Sequence, residues 1–179
     1  MINYVIETDR LGLRNWQDSD LPPFSKMNQD HEVMKYFPGV TSKQESKAFI
    51  IRMQEHFSQH GFCYFAVDRL DTGQFIGFTG LLHQNFTGLF PPFVDMGWRI
   101  RKEDWYNGFA TEAAKACLEY ALAKPDLEEV YAIAPKVNKP SQKVMKKIGM
   151  TLKEEFNHPK LKGYPMLERC VLYWTGKPR

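Results

Sequence analysis

The run D-W-Y-N-G-F-A-T-E-A-A, residues 104–114, decides the reading of this chain. Gly108 stands directly before a strong helix-forming stretch, and an alternating apolar and polar segment, 93–101, precedes it. A strand that feeds a short turn, a glycine and then a helix brings unpaired backbone amides and the positive end of a helix to one point. That is an anion site, and glycine allows a ligand to approach the backbone closely. Taken alone, the glycine can equally serve only to make the turn.

The flanking segments predict the remaining elements. Leu11–Trp16 reads as a strand, and D-S-D-L-P-P supplies helix-start chemistry ahead of Phe24–Asn28. Ser42-Lys43-Gln44-Glu45 is a capping box in sequence, with Phe49, Ile50, Met53 and Phe57 following at helical spacing up to a stop at Gly61. Residues 62–67 and 75–82 form a hairpin around D-T-G, and the chain then loops through N-F-T-G-L-F-P-P. In 93–101, Val94, Met96, Trp98 and Ile100 alternate with Asp95, Gly97, Arg99 and Arg101, which predicts one apolar and one polar strand face.

Beyond the glycine, Ala110, Ala113, Ala114, Cys117, Leu118 and Ala121 give a stripe of small residues suited to close packing on a sheet, on a helix that ends before Pro125. Val130–Ala134 is a strand. Pro140 serves as the first residue of a helix that Gly149 stops, and strands 150–154 and 169–174 follow. The order is α+β without repeats or a glycine- and serine-rich linker.

The 179 residues fit one domain, and 43% hydrophobic with 25% charged residues is an ordinary globular composition. Cys63, Cys117 and Cys170 are odd in number and lack a C-x-x-C pair, which argues against a disulfide framework and a zinc site. No stretch suits a signal peptide or a membrane span, so a cytoplasmic address is expected. A net charge of +3 is too small to point to nucleic acid and is compatible with an anionic cosubstrate. No G-K-S, G-K-T or G-x-G-x-x-G occurs, which disfavours the usual nucleoside triphosphate and NAD sites.

Five segments together resemble one family, the GCN5-related N-acetyltransferases (GNAT), in its RimJ/RimL-like branch: E-T-D-R-L-G-L-R, F-I-G-F-T-G-L-L, V-D-M-G-W-R-I, W-Y-N-G-F-A-T-E-A-A and N-K-P-S-Q-K-V-M-K-K-I-G-M. The resemblance covers nearly the whole chain. It implies one N-acetyltransferase domain over 1–179, with core motifs at about 8–175. The implied fold is a mixed, mostly antiparallel sheet flanked by helices. The sheet splays between the strand ending near Ile100 and that of Val130–Ala134, around acetyl-CoA as cosubstrate.

By the same resemblance, backbone at Trp98, Arg99 and Ile100 pairs with the pantetheine arm. Amides of Asn107, Gly108, Phe109, Ala110 and Thr111 hold the pyrophosphate. Trp105 and Ala110 stand where the family often has Arg or Gln and a second glycine, which weakens side-chain contacts more than the amide cradle. Lys102, Lys139 and Lys147 can supply charge to the 3′-phosphate end.

Asn138 and Ser141 match the family's pantetheine-binding amide and its hydroxyl near the sulfur, although Asn, Ser and Pro also cluster at helix starts as caps. Asp95 matches the place of a family glutamate that acts as general base. One methylene shorter, it would work through a water, and a solvated strand carboxylate is the competing reading. His158 and Tyr164, on a late loop, face substrate or solvent. Cys117, on an apolar stripe, reads as inert packing.

The implied reaction transfers an acetyl group to a primary amine and needs no metal. An α-amine, near ~7.8, is partly neutral at pH 7, whereas a lysine, near ~10.4, is almost wholly charged; the gap of roughly 2.6 units is about 3.5 kcal/mol of deprotonation work. A modest base therefore suits a protein N-terminus, with small-molecule amines as an alternative acceptor. A non-catalytic acyl-CoA-binding sensor is the rival of another class. No membrane or nucleic-acid partner is expected, and the chain is a monomer or homodimer. The acceptor pocket is expected from residues 18–61 and the late loop, where no motif is diagnostic.

Overall fold

A computed structural model describes residues 2–85 and 90–177; part of the N-F-T-G-L-F-P-P loop thus lies outside the described residues. The elements run β1 (Ile6–Glu7), β2 (Leu11–Arg14), α1 (Leu21–Asn28), α2 (Lys43–His60), β3 (Tyr64–Arg69), β4 (Phe75–Gln84) and β5 (Phe93–Ile100). The second half holds α3 (Phe109–Leu122), β6 (Glu129–Pro135), α4 (Lys139–Lys147), β7 (Thr151–Asn157), α5 (Pro165–Glu168) and β8 (Arg169–Gly176). All eight strands join one sheet in the order β1-β2-β3-β4-β5-β6-β8-β7. Every pairing is antiparallel except β5 with β6.

Local chemistry explains why the helices begin and end where they do. Ser42 Oγ accepts from the Glu45 amide at 3.1 Å, and the Glu45 carboxylate accepts from the Ser42 amide at 2.7 Å, which satisfies two otherwise orphaned donors of α2. Gly61, at φ 71°, ends it. On α3, Ala113, Ala114, Cys117 and Ala121 have no exposed surface, so the small-residue stripe lies flat on the sheet as its spacing predicts. In β4 the F-I-G-F run needs Gly77, because a Cβ there would sit 2.1 Å from the Arg99 carbonyl oxygen of β5.

The charged centre of the N-terminal half is Arg14, whose guanidinium makes two hydrogen bonds to Asp20, both at 2.8 Å, and two to Asp68, at 2.6 and 2.9 Å. All three residues are buried. Burial works against the charged guanidinium, but the bonds to Asp20 and Asp68 outweigh it and hold the Arg14 pKa above its ordinary value.

The alternation in β5 is present, but the face carrying Asp95, Gly97 and Arg99 is not solvated. Helices α1 and α2 cover it: Phe49 of α2 packs against Tyr64 and Phe78 at ring distances of 6.4 and 5.2 Å, and Arg99 Nη1 donates to Asn28 Oδ1 of α1 at 2.7 Å. Asp95 is consequently 9% exposed. A strand flanked by helices on both sides keeps its two-residue alternation while losing its wet face.

Candidate active site

Strands β5 and β6 lie parallel and share one register pair, Asp95 with Tyr131. Beyond it they diverge, and the ends of both strands lead into helices, β5 through a turn into α3 and β6 through Lys136–Asn138 into α4. The cleft opened by this divergence therefore receives two helix N-termini at one end of the sheet.

Trp98, Arg99 and Ile100 lie along the β5 side of the cleft but do not face it alike. The Arg101 amide donates to Ile76 O of β4 at 2.8 Å, so by alternation the peptide groups of Arg99 turn towards β4 and those of Trp98 and Ile100 towards the cleft. Ile100 O already accepts from the Trp105 indole at 2.7 Å, which fixes the turn after β5. That turn holds two left-handed residues, Tyr106 at φ 63° and Gly108 at φ 81°. Gly108 is the N-cap of α3, and no side chain caps the first-turn amides of Phe109, Ala110 and Thr111. Asn107 spends its side-chain amide on Trp105 O, 3.1 Å away.

The start of α3 is pinned by residues that sequence reasoning assigned no role. Glu112 accepts from Thr8 Oγ1 at 2.6 Å and from Arg10 Nε at 2.7 Å, and the Arg10 and Arg69 guanidinium carbons lie 4.5 and 5.3 Å from the centre of the Phe109 ring. Partial burial would raise the Glu112 pKa, but the bonds from Thr8 and Arg10 outweigh it and hold the carboxyl below its ordinary value. The available signal was the pairing of T-D-R near the start with T-E after the glycine.

On the β6 side, Asn138 Oδ1 accepts from the Ser141 amide at 3.1 Å, so Asn138 does cap α4. The capping role occupies its oxygen and leaves its NH2 group without a partner among the described residues. The Ser141 hydroxyl likewise has none, and the residue is half-buried. Lys102, Lys139 and Lys147 are exposed.

Asp95 sits where β5 and β6 still touch. Its Oδ2 accepts a short hydrogen bond from the buried Tyr64 hydroxyl, whereas Oδ1, also buried, has no partner among the described residues. Burial pushes the Asp95 carboxyl up to about 7; Tyr64, Gln84 and the backbone at Ile133 oppose this by favouring the anion, although neither of the last two reaches hydrogen-bonding geometry with Oδ1. Burial foremost, then the Asp95 charge, holds the Tyr64 phenol well above its ordinary value, so it stays a donor. Nothing in the sequence links Tyr64 to Asp95, 31 residues apart. Arg99 extends over the Phe37 ring at 4.1 Å and its Nε is buried without a partner among the described residues; burial lowers its pKa to about 10.

Other expected residues lie apart from this centre. His158 accepts from the Lys160 amide at 3.2 Å on the late loop, and Tyr164 is exposed. All three cysteines are buried, and burial pushes the Cys117 thiol up to about 12, in keeping with packing rather than nucleophilic chemistry. A cavity of about 420 Å³ lies beside Arg14 and Trp16, and one of about 470 Å³ lies between the starts of β5 and β6, beside Phe93, Val94, Glu129 and Tyr131. No helix among the described residues is long and apolar enough to cross a membrane.

A splayed sheet whose gap collects uncapped helix amides beside a buried acid defines a protein that seats an elongated anionic ligand across a sheet. The family model described as the acetyltransferase (GNAT) domain matches residues 10–151, and the chain belongs to that family of acetyl-CoA-dependent acetyltransferases. Among its relatives, the uncharacterized N-acetyltransferase YnaD of Bacillus subtilis (strain 168) is 33% identical over 147 residues, 81% of each chain. The solved structure of RimL, a ribosomal L7/L12 alpha-N-protein acetyltransferase in complex with coenzyme A, has a TM-score of 0.75 at 13% identity, covering 97% of this chain and 98% of that one. Spermidine N-acetyltransferase from Vibrio cholerae, in complex with CoA and spermine, has a TM-score of 0.73 at 16% identity, covering 94% and 96%.

Proposed function

We propose that the chain transfers an acetyl group from acetyl-CoA to a primary amine, and that the acceptor is the α-amine of a protein N-terminus. The observation that carries this reading is Asp95, a buried carboxyl near pH 7 that keeps one oxygen unengaged. Such a group accepts a proton readily from an α-amine of pKa about 7.8, less than a unit away, and poorly from an aliphatic amine near 10.4.

The residues around the cleft fit the cosubstrate. The backbones of Trp98 and Ile100 face the arm, and the amides from Asn107 to Thr111, with left-handed Gly108 at their head, suit a pyrophosphate. The Asn138 NH2 group is left to bind the pantetheine, and Lys102, Lys139 and Lys147 provide cations for the outer phosphate. Arg99, whose peptide turns to β4, instead offers its guanidinium on the Asp95 face, towards the acceptor. Bound acetyl-CoA supplies an activated thioester carbonyl. Asp95 takes the amine proton, directly or through one water, Tyr64 steadies the carboxylate, and the free Ser141 hydroxyl hydrogen-bonds the departing sulfur.

The fold does not choose between acceptors, since the two solved neighbours, one named for a protein α-amine and one for spermidine, are alike in TM-score. The pKa match favours the α-amine. The deciding experiment incubates the protein and acetyl-CoA with N-terminal peptides, internal-lysine peptides and polyamines, following thiol release and product mass. Acetylation of peptide N-termini is expected. Turnover of polyamines alone overturns the acceptor class, and coenzyme binding without thiol release from any amine makes the chain a sensor.

A further inference from the structure

The last turn of α2 carries His56 and His60 one turn apart, and β4 carries His83 beside them. Strand β3 begins at Tyr64, opposite Gly80, so β4 runs on past it to Gln84 and the end of α2 fills the place of the missing strand. His83 thereby meets both helical histidines: ring centres lie 4.5 Å apart for His56 and His60, 4.4 Å for His60 and His83, and 5.2 Å for His56 and His83. One ring nitrogen from each of the three lies within 4.8 Å of the others.

Three features distinguish this from a chance stack. First, His56 Nδ1 is 2.7 Å from the Phe62 carbonyl oxygen, which can only accept, so Nδ1 holds the proton and Nε2 carries the lone pair, to which the His83 amide donates a long bond of 3.3 Å that an ion would displace; the Nδ1 contact is the outer bond by which metal-ligating histidines are usually oriented. Second, His56 Nε2 lies 3.2 Å from His83 Nδ1, against ~3.3 Å between two nitrogens on a tetrahedral ion at bonds of about 2.0–2.1 Å. His60 is exposed on the final helical turn and needs only a side-chain rotation to close the third edge. Third, partial burial and the neighbouring imidazoles lower the pKa of His56 and of His83, so both favour the neutral form that binds metal. Protonated, the three rings would repel one another; a shared cation turns that crowding into attraction.

We propose that His56, His60 and His83 form a three-imidazole site for a borderline divalent transition metal, Zn²⁺ foremost, with water at the remaining position. Imidazole suits Zn²⁺ and Cu²⁺ over Mg²⁺ or Ca²⁺, and the cluster contributes no carboxylate that would favour the harder ions. The ion would tie the end of α2 to β4, whose Leu82, next to His83, pairs with Asp95 across the sheet. This adds a site to the chain apart from the acyl transfer of the proposed function.

The test titrates the full chain, stripped with chelator, with Zn²⁺ against a chromogenic indicator, and in parallel with Co²⁺ followed by its visible spectrum. One equivalent per chain is expected, with the intense visible bands of four- or five-coordinate cobalt. His60→Ala and His83→Ala should each weaken Zn²⁺ binding at least tenfold with unchanged far-UV circular dichroism, and His31→Ala, at an exposed histidine outside the cluster, should leave it as in the parent. Failure of the parent to bind one equivalent, or an affinity in His60→Ala or His83→Ala equal to that of the parent, overturns the site.

Discussion

Asp68 and Asp95 are both buried carboxylates on central strands, and the molecule treats them in opposite ways. Asp68, with Asp20, surrounds Arg14 so completely that the guanidinium makes four hydrogen bonds to the two acids. Among the described residues Asp95 has one hydroxyl for a partner and an orphaned oxygen. A compensated charge fixes β2 and β3 to the turn at Asp18–Asp20. An uncompensated carboxyl is driven towards neutrality by burial and so rests where a proton can move on or off near pH 7. The difference separates a structural acid from a chemical one more clearly than exposure does, since both are buried.

The largest effect should come from breaking the compensated site. Arg14→Met keeps much of the side-chain volume but leaves Asp20 and Asp68 buried without a cation, and should cost about 3–5 kcal/mol of stability in urea unfolding at pH 7. A loss below about 1 kcal/mol would mean that the acids are relieved by protonation or water, and that the two sites are less unlike than their geometry.

The uncompensated site should respond in the other direction. Asp95→Asn is expected to lower kcat/KM for the amine about a hundredfold or more, about 2.7 kcal/mol of barrier, while coenzyme affinity is kept. It should also stabilise the fold above neutral pH. The Asp95 pKa is raised in the folded state, so between its ordinary value near 3.8 and about 7 the native protein holds a proton that the unfolded chain releases, and stability falls as pH rises through that window. Asparagine has no such dependence, so its advantage should be on the order of 4 kcal/mol at pH 8 and vanish below pH 4. pH–rate profiles offset by less than threefold, or thermal stabilities that stay parallel across pH, would place Asp95 with the structural acids.

The same contrast shows what sequence can carry. The Ser42–Glu45 box, Gly61, the alanine stripe of α3 and the turn before Gly108 are local, and each was legible because its partners lie within a few residues. The two acid sites are not local: Arg14 meets Asp68 across 54 residues, and Tyr64 meets Asp95 across 31. Alternation in β5 put Asp95 and Arg99 on one face but could not say that α1 and α2 cover it, because strand periodicity carries no record of what lies above the strand. Short elements such as β1 and α5 left no periodic signal at all. The histidine cluster was hidden for the same reason as the acids, since only the folded chain brings His83 to the end of α2.

A third, smaller effect tests the other half of the cleft. At Gly108 a Cβ would meet only Arg10 Nη2, at 3.6 Å, so valine is opposed by the left-handed backbone rather than by crowding. Relieving that strain shifts the amides ahead of α3. Gly108→Val should weaken coenzyme A about tenfold, read as a reduced ligand-induced thermal shift, with the pH dependence set by Asp95 unchanged. A shift equal to that of the parent would locate the anion site elsewhere.

The smallest effect is the sharpest test of the comparison, because it adjusts the charge on Asp95 without removing it. Among the described residues the Tyr64 hydroxyl is the one side-chain donor in hydrogen-bonding geometry with that carboxylate, and it favours the anion against a burial cost that is larger. Tyr64→Phe keeps the ring packed against Phe49 and Phe78 and removes only the donor. The Asp95 pKa should then move upward from about 7 by up to about one unit, since the anion loses its best partner while the burial remains. The base limb of kcat/KM for an α-amine peptide should move with it. Activity at pH 7 should fall less than tenfold and recover by pH 9, where both proteins hold Asp95 ionised and the amine is neutral in either case. Loss that persists at high pH would assign Tyr64 to positioning the acceptor instead. An unmoved limb would show that the titration seen in the rate belongs to the amine, and that Asp95 is not the group whose proton the reaction counts.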